Sequence, residues 1–357
     1  MRAARVLIAA STNQMSAADG VLMSALADVA KLAGVSKSTA SRALSGGGYV
    51  SEATRRKVSS AAEKLGYVAS PNAASLVTGR TKTVGVMIPF ISRWFFGEVL
   101  EGIESQLRAH GYDMTLYNVH PSERSDDVFD YFLARKRFDG VIAVAVEPVD
   151  SDIAHLRGLG RPVVGIGGHV PGIASVAIDD VAVARLATEH LIGLGHTSIV
   201  HLGGDSGPRS DFSVPRKRRQ GYEQAMQAAG LPTGRVLDAD MSIPDGYEAA
   251  VEVLTDARDR PTAIFAACDE LAIGAIIAAR RLGIDVPGQL SVIGIDGHEC
   301  APMFSLTTFE QSPHEQGMQI VNTLLDAVDR GVEPDEGVVY HPTRLKVRNS
   351  TSALRSS

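Results

Sequence analysis

Between Lys37 and Arg42 the chain presents Lys37, Ser38, Thr39, Ser41 and Arg42: long cations and short hydroxyls with no carboxylate among them. That set suits the edge of a DNA duplex, because a guanidinium can pair bidentately with guanine and hydroxyls can reach phosphate oxygens. The elements around it are legible. Leu26, Val29, Ala30 and Ala33 recur at helical spacing and predict a first helix with one apolar stripe. Gly34 supplies the positive φ of a tight turn, Val35 plugs the gap, and Ser36 is placed to cap a second helix that carries the polar set. A helical hairpin with an ordinary polar face would look similar. The surroundings decide against it.

After Gly46-Gly47-Gly48 a third helix is expected, capped by Ser51, striped by Val58, Ala61, Ala62 and Leu65, and ended by Gly66. Nine cations against three acids give Met23–Lys82 a net charge of +6, within a chain of −6 overall. A basic head on an acidic body implies a polyanion partner for the head alone.

This headpiece resembles the lactose-repressor (LacI/GalR) family of bacterial regulators, through ADVAKLAGVSKSTASRAL and the following LGYVASPNAASL. The resemblance implies operator DNA as partner, with Ser36, Lys37, Ser38, Thr39, Ser41 and Arg42 at the duplex. It further implies that the linker Ser70–Gly79 forms a hinge helix on the DNA, with Asn72 as a DNA contact and Leu76 as a minor-groove wedge between base steps. Here the linker is about two residues shorter than the family's, lacking an Ala-Arg. Ala25 stands where the family commonly has a capping Thr.

At 357 residues, 45% hydrophobic and 21% charged, the chain reads as a globular protein of more than one domain. No apolar run approaches the roughly 18 residues of a membrane span. Two cysteines, Cys268 and Cys300, exclude a disulfide framework and fit a reducing cytoplasm. The start MRAARVLIAASTNQM has too short an apolar core, Val6 to Ala10, for a signal peptide. Residues 1–22 are expected to be an extension without fixed structure, and Met23 is a second candidate start.

From residue 83 onward, apolar runs alternate with amphipathic stretches. Strands are expected at Thr83–Ile88, Met114–Asn118, Gly140–Val146, Val163–Ile166, Ser198–Leu202, Ala263–Ala266 and Ser291–Ile295. Helices are expected near 97–110, 126–136, 180–193, 216–229, 246–257 and 269–282. Repeated β-α units with strands buried on both faces mean doubly wound parallel sheets, and the restart after Asp179 means two lobes with a ligand cleft between them. Enzyme signatures are missing. GIGGH at 165–169 and LGGDSG at 202–207 are neither phosphate loops nor dinucleotide fingerprints. His169, His196 and His201 match no metal-ligand spacing, so no metal, cofactor or catalytic set is expected.

The body also resembles the family's effector-binding core, related in fold to periplasmic sugar-binding proteins. The stretches TVGVMIPFISRWFFGEVLEGIESQLRAHGYDMTLYNV, RRQGYEQAMQAAGL, CDELAIGAIIAARRLGIDVPGQLSVIGIDG, LTTFEQ and HPTRLKVRNST carry it in order. The resemblance implies an all-α helix-turn-helix headpiece at 23–69, a linker at 70–82 and a two-lobed α/β core at 83–350. The first lobe would take about 83–178 and 311–340, the second about 179–310 and 341–350. It puts Arg218, ahead of Gly221-Tyr222, and Asp296 of GIDG in the effector pocket. Cys268 takes the place of a polar residue there. From their own place after the first strand, Trp94 and Phe95 are expected to wall the cleft, with Trp94 either offering a face to a sugar ring or serving as a buried core aromatic. The expected whole is a homodimeric, ligand-controlled repressor of a carbohydrate-use operon, bound to a palindromic operator in the cytoplasm. The alternative, a solute-binding protein without DNA activity, calls for an export signal and no basic headpiece.

Overall fold

The computed structural model describes residues 26–45, 49–67, 79–119, 138–146, 158, 160–168, 172–203, 213–332 and 334–354. The chain forms two compact units that divide between Thr81 and Lys82.

Among its described residues the first unit holds three helices, α1 (Leu26–Ala33), α2 (Lys37–Ser45) and α3 (Glu52–Lys64). Gly34 has φ +66° and the Val35 N–H returns to the Ala30 carbonyl, which ends α1 in the tight turn its glycine predicts. Ser36 Oγ accepts from the Thr39 N–H at 3.1 Å and Ser51 Oγ from the Thr54 N–H at 3.3 Å, so both serines cap the helices that follow. Val29, Ala30, Ala40, Ala43, Val58, Ala61 and Ala62 form a small buried core, edged by Leu26, Val35, Leu65 and Tyr67.

The second unit is built on two six-stranded sheets. The first has the order β11-β5-β4-β3-β1-β2, from β1 (Thr83–Ile88), β2 (Asp113–Asn118), β3 (Gly140–Val144), β4 (Val163–Ile166), β5 (Ala174–Ala177) and β11 (Gly337–Tyr340). The second has the order β12-β10-β9-β8-β6-β7, from β6 (Ile199–Gly203), β7 (Val236–Asp238), β8 (Ala263–Ala266), β9 (Ser291–Asp296), β10 (Thr307–Glu310) and β12 (Arg344–Lys346). All pairings are parallel except β12 against β10. β3, β4, β6, β8 and β9 are buried along their whole length, which is why β3, β4 and β8 are unbroken apolar runs rather than alternations; β6 and β9 add the buried polar residues His201, Ser291 and Asp296.

The helices are α4 (Trp94–Ala109), α5 (Asp180–Gly193), α6 (Ser213–Ala228), α7 (Ile243–Leu254), α8 (Asp269–Arg281) and α9 (Pro313–Arg330). The chain changes sheets after β5, after β10 and after β11, and α9 returns to pack on α4 of the first lobe. β5, β7, β10, β11, β12 and α9 were not among the expected elements, and the expected helix at 126–136 lies outside the described residues. α6 begins at Ser213 rather than 216. This sets Arg218 inside the helix instead of on a solvated first turn.

α4 and α9 cross so closely that a Cβ on Gly102 would overlap the backbone carbonyl of His314, and one on Gly317 would overlap that of Val99. Neither obstacle is a flexible side-chain end. Gly102→Ala is expected to destabilise the second unit by about 1–3 kcal/mol through overpacking, while Gly97→Ala, with open space at its Cβ, should not. Urea midpoints of the two variants check this.

Candidate nucleic-acid interface and ligand cleft

In the headpiece, Ser36, Lys37, Ser38 and Arg42 are exposed, whereas Thr39 and Ser41 are half-buried rather than fully in solvent as the sequence suggested. The Ser36 hydroxyl lies 2.9 Å from that of Ser38 and 2.8 Å from that of Thr39, so three hydroxyls gather at the N-terminus of α2. There the helix dipole and free N–H groups favour an anion such as phosphate. Arg42 Nε reaches the Ser38 carbonyl at 3.3 Å, which leaves the guanidinium along the exposed face. Asn72 and Leu76 lie outside the described residues.

In the second unit, Arg218 and Asp296 meet at the carboxyl ends of the strands, where open α/β sheets hold ligands. Both are buried, at 4% and 6% exposure. Arg218 Nε donates to Asp180 Oδ1 at 2.8 Å, and its Nη1 donates to the Ala267 carbonyl and faces Asp296 Oδ1 at 3.5 Å. Asp296 Oδ1 also accepts from Gln311 Nε2 at 2.6 Å, and Gln316 Nε2 donates to the Gln311 carbonyl at 2.6 Å. The network thus runs from α5 through α6 and the end of β9 to the segment crossing into α9. Asp296 has φ +135°, a region L-residues seldom adopt, and strain of this kind is tolerated where surrounding structure holds it.

The electrostatics follow from burial. Desolvation pushes Asp296 up to about 6, against the pull of Arg218 and the Gln311 hydrogen bond. It raises Asp180 as well, outweighing Arg218. Desolvation opposes the Arg218 charge, yet Asp180 and Asp296 together hold the guanidinium protonated with a raised pKa. Burial, with Asp296 nearby, also lifts Asp269 and Glu270 to about 7. One guanidinium between two carboxylates, beside two further acids, makes this a site rich in acceptors.

Cys268 caps α8 without a side-chain hydrogen bond, and its buried thiol is pushed well up by desolvation. Trp94 is half-buried at the start of α4, its ring centroid 4.7 Å from that of His298 just beyond β9. Phe95 turns edge-on to Phe96 at 5.4 Å and packs against the first lobe's core. Sequence reasoning missed Asp180, Asp269, Gln311 and His298. Of these, Asp180 and Asp269 carried a signal, each being an acid on the first turn of a helix that follows a buried strand.

The histidines weighed as metal ligands have structural roles. His196 ties Thr262 and Ser291, at 3.0 Å each, to the Ser352 carbonyl at 3.1 Å. His201 is stacked between Tyr222 and Phe265 inside the second lobe. His169 lies outside the described residues, and among the described residues no three His, Cys, Asp or Glu side chains gather as a metal site.

Comparison with known proteins agrees with this geometry. Residues 25–71 match the model of bacterial regulatory proteins, lacI family, and residues 188–351 match a periplasmic binding protein-like domain. The HTH-type transcriptional regulator DegA of Bacillus subtilis is 35% identical over 338 residues, covering 92% of this chain and 98% of DegA. Catabolite control protein A of Priestia megaterium is 32% identical over 331 residues, covering 91% and 98%. Among solved structures, the lac repressor dimer bound to operator and the anti-inducer ONPF superposes with TM-score 0.82 at 25% identity, over 92% of this chain and 99% of that one. The transcriptional regulator CelR–cellobiose complex gives TM-score 0.65 at 27% identity, with the same coverage. No helix among the described residues is long and apolar enough to cross a membrane. With a lacI-type headpiece ahead of a periplasmic-binding-protein-like core and relatives that are regulators rather than enzymes, the chain belongs to the lacI family and is a ligand-responsive, DNA-binding transcriptional regulator.

Proposed function

We propose that this regulator is a cytoplasmic repressor of a carbohydrate-use operon, binding a pseudo-palindromic operator as a homodimer. The observation that carries the DNA reading is α2 itself: a glycine turn, a serine cap and an exposed Lys37, Ser38 and Arg42 face in a Met23–Lys82 segment of net charge +6. Ser36, Thr39 and Ser41 complete the reading face, and in the linker Asn72 is assigned to the DNA and Leu76 to the minor groove. The domain division is 23–69 for the headpiece, 70–82 for the linker and 83–350 for the core. The sheet that each strand joins supports lobes of 83–178 with 311–340 and of 179–310 with 341–350.

The effector site is assigned to Arg218 and Asp296, with Cys268, Trp94 and Phe95 around it. Because Asp180 and Asp296 already neutralise Arg218, the site favours an uncharged, hydroxyl-rich ligand over a carboxylate or phosphate. The cellobiose bound by the similar CelR supports a sugar or sugar derivative. Closure of the lobes on such a ligand shifts DNA affinity only by its unequal binding to the two arrangements.

Gel shifts on the gene's own upstream region test the DNA reading. Affinity should fall steeply with salt, since phosphate contacts dominate. Arg42→Ala should cost about 1–3 kcal/mol and relax sequence preference, whereas Lys57→Ala should weaken all sequences alike. Affinity indifferent to salt, or an Arg42→Ala protein that binds like the parent, would remove α2 from the groove.

A further inference from the structure

We infer that Trp94 and His298 form a latch between the two lobes of the core, with Arg93 and Glu270 beside it. Trp94 opens α4, which lies between β1 and β2 of the first sheet; His298 follows β9 of the second. Their ring centroids are 4.7 Å apart with planes 31° from parallel, a contact distance for aromatic rings. The backbone and ring of His298 are held from the second lobe. The His298 N–H donates to Asp269 Oδ2 at 2.8 Å, and His298 Nδ1 accepts the Cys300 N–H at 2.9 Å. That acceptor role puts the imidazole proton on Nε2 in the neutral tautomer. Next to Trp94, the Arg93 guanidinium lies 3.7 Å over the Phe90 ring and acts on the Glu270 carboxyl, which belongs to the other lobe.

Two further observations fit a latch better than simple core packing. The indole Nε1 is buried with no hydrogen-bond partner, so the indole is anchored on this face by ring contact and not by a polar tether. His298 itself is buried at 7% exposure, although it sits in a turn. Trp94 from α4 contacts the imidazole, the Cys300 N–H meets its Nδ1 and the Glu299 carboxylate acts on its charge, while Asp269 Oδ2 is engaged by the His298 backbone N–H. Burial lowers its pKa and Glu299 opposes that. Protonation would set an Nδ1–H against the Cys300 N–H and dismantle the support for the ring.

Trp94 is the chain's single tryptophan, so its emission reports on this contact without labelling. An imidazolium in contact with indole quenches it more strongly than a neutral imidazole. Full-length protein is therefore expected to lose tryptophan emission as pH falls below about 6.5, the ordinary imidazole value, because burial holds His298 under it. His298→Phe should keep the emission of a buried indole and lose the pH transition. His298→Ala should shift the emission to the red and make acrylamide quenching stronger, because the lobes part and water reaches the ring. Far-UV dichroism and melting of each variant show that it is folded. If the parent shows no transition, or a folded His298→Ala leaves emission and acrylamide quenching unchanged, Trp94 is merely packed in its own lobe and the latch is refuted.

Discussion

Arg218→Ala is expected to destabilise the core by about 3–5 kcal/mol, the usual cost of stranding a buried charge by deleting its partner. Asp180 and Asp296 would face each other in a dry site, and the Ala267 carbonyl would lose its donor. Arg218→Lys should recover only part of this, because a single ammonium cannot reproduce a planar fork shared among three acceptors. Arg218→Met combined with Asp180→Leu should come back towards the parent, since apolar replacement of a buried pair is often neutral. Urea denaturation of the full chain reads all three. An Arg218→Ala midpoint equal to the parent's would mean that the network contributes nothing net. A double variant no better than the single would locate the loss in the Ala267 contact or in Asp296.

The second large effect is on acid stability, through His201. Its Nδ1–H donates to the Phe265 carbonyl at 3.1 Å, its rings neighbours are Tyr222 and Phe265, and its buried Nε2 has no partner. Burial lowers its pKa to about 4, against about 6.5 for a free imidazole. Between those values the unfolded chain binds the proton and the folded chain does not, so stability rises with pH across that window and is lost as pH falls through it. The loss amounts to about 3 kcal/mol once pH is below both values. Asp296, at about 6, and Asp269 and Glu270, at about 7, act in the opposite sense. Their folded values are raised, so their contribution is present at low pH and lost as pH rises through 6 to 7. The difference between parent and His201→Phe isolates the histidine. The variant should lose less stability than the parent between about pH 6.5 and about pH 4; parallel curves would show that His201 does not titrate on unfolding.

Much of the architecture was legible in short windows of sequence. The stripe Val29–Ala30–Ala33, the positive φ of Gly34 and the caps Ser36 and Ser51 are local, since each depends on residues within one helical turn. The strands buried on both faces were legible for a similar reason: burial on both sides leaves no polar position to break the run. The missed strands are short, and the two that are buried are broken by hydroxyl residues, Ser175 in β5 and Thr307 and Thr308 in β10. β11 is exposed at three of its four positions on a sheet edge, and β7 and β12 have only three residues each. α9, by contrast, had a readable stripe in Ile320, Val321, Leu324 and Val328.

The sequence by itself determined the headpiece, the family pattern and the doubly wound class, because periodicity and turn chemistry act within a few residues. It also pointed to Arg218 and Asp296 through their motifs. Only the tertiary structure decided what those residues touch. Arg218 meets Asp180 from 38 residues away and Asp296 from 78 residues away, and Trp94 meets His298 across the two lobes. The Arg218 meetings exist because the parallel neighbours β6, β8 and β9 end on one edge of the second sheet, and the Trp94 meeting because the chain has crossed from the first sheet to the second after β5. Once brought together there, the groups are desolvated. Burial then turned an arginine in a basic run into a neutralised core residue and lifted four carboxyls above their ordinary range.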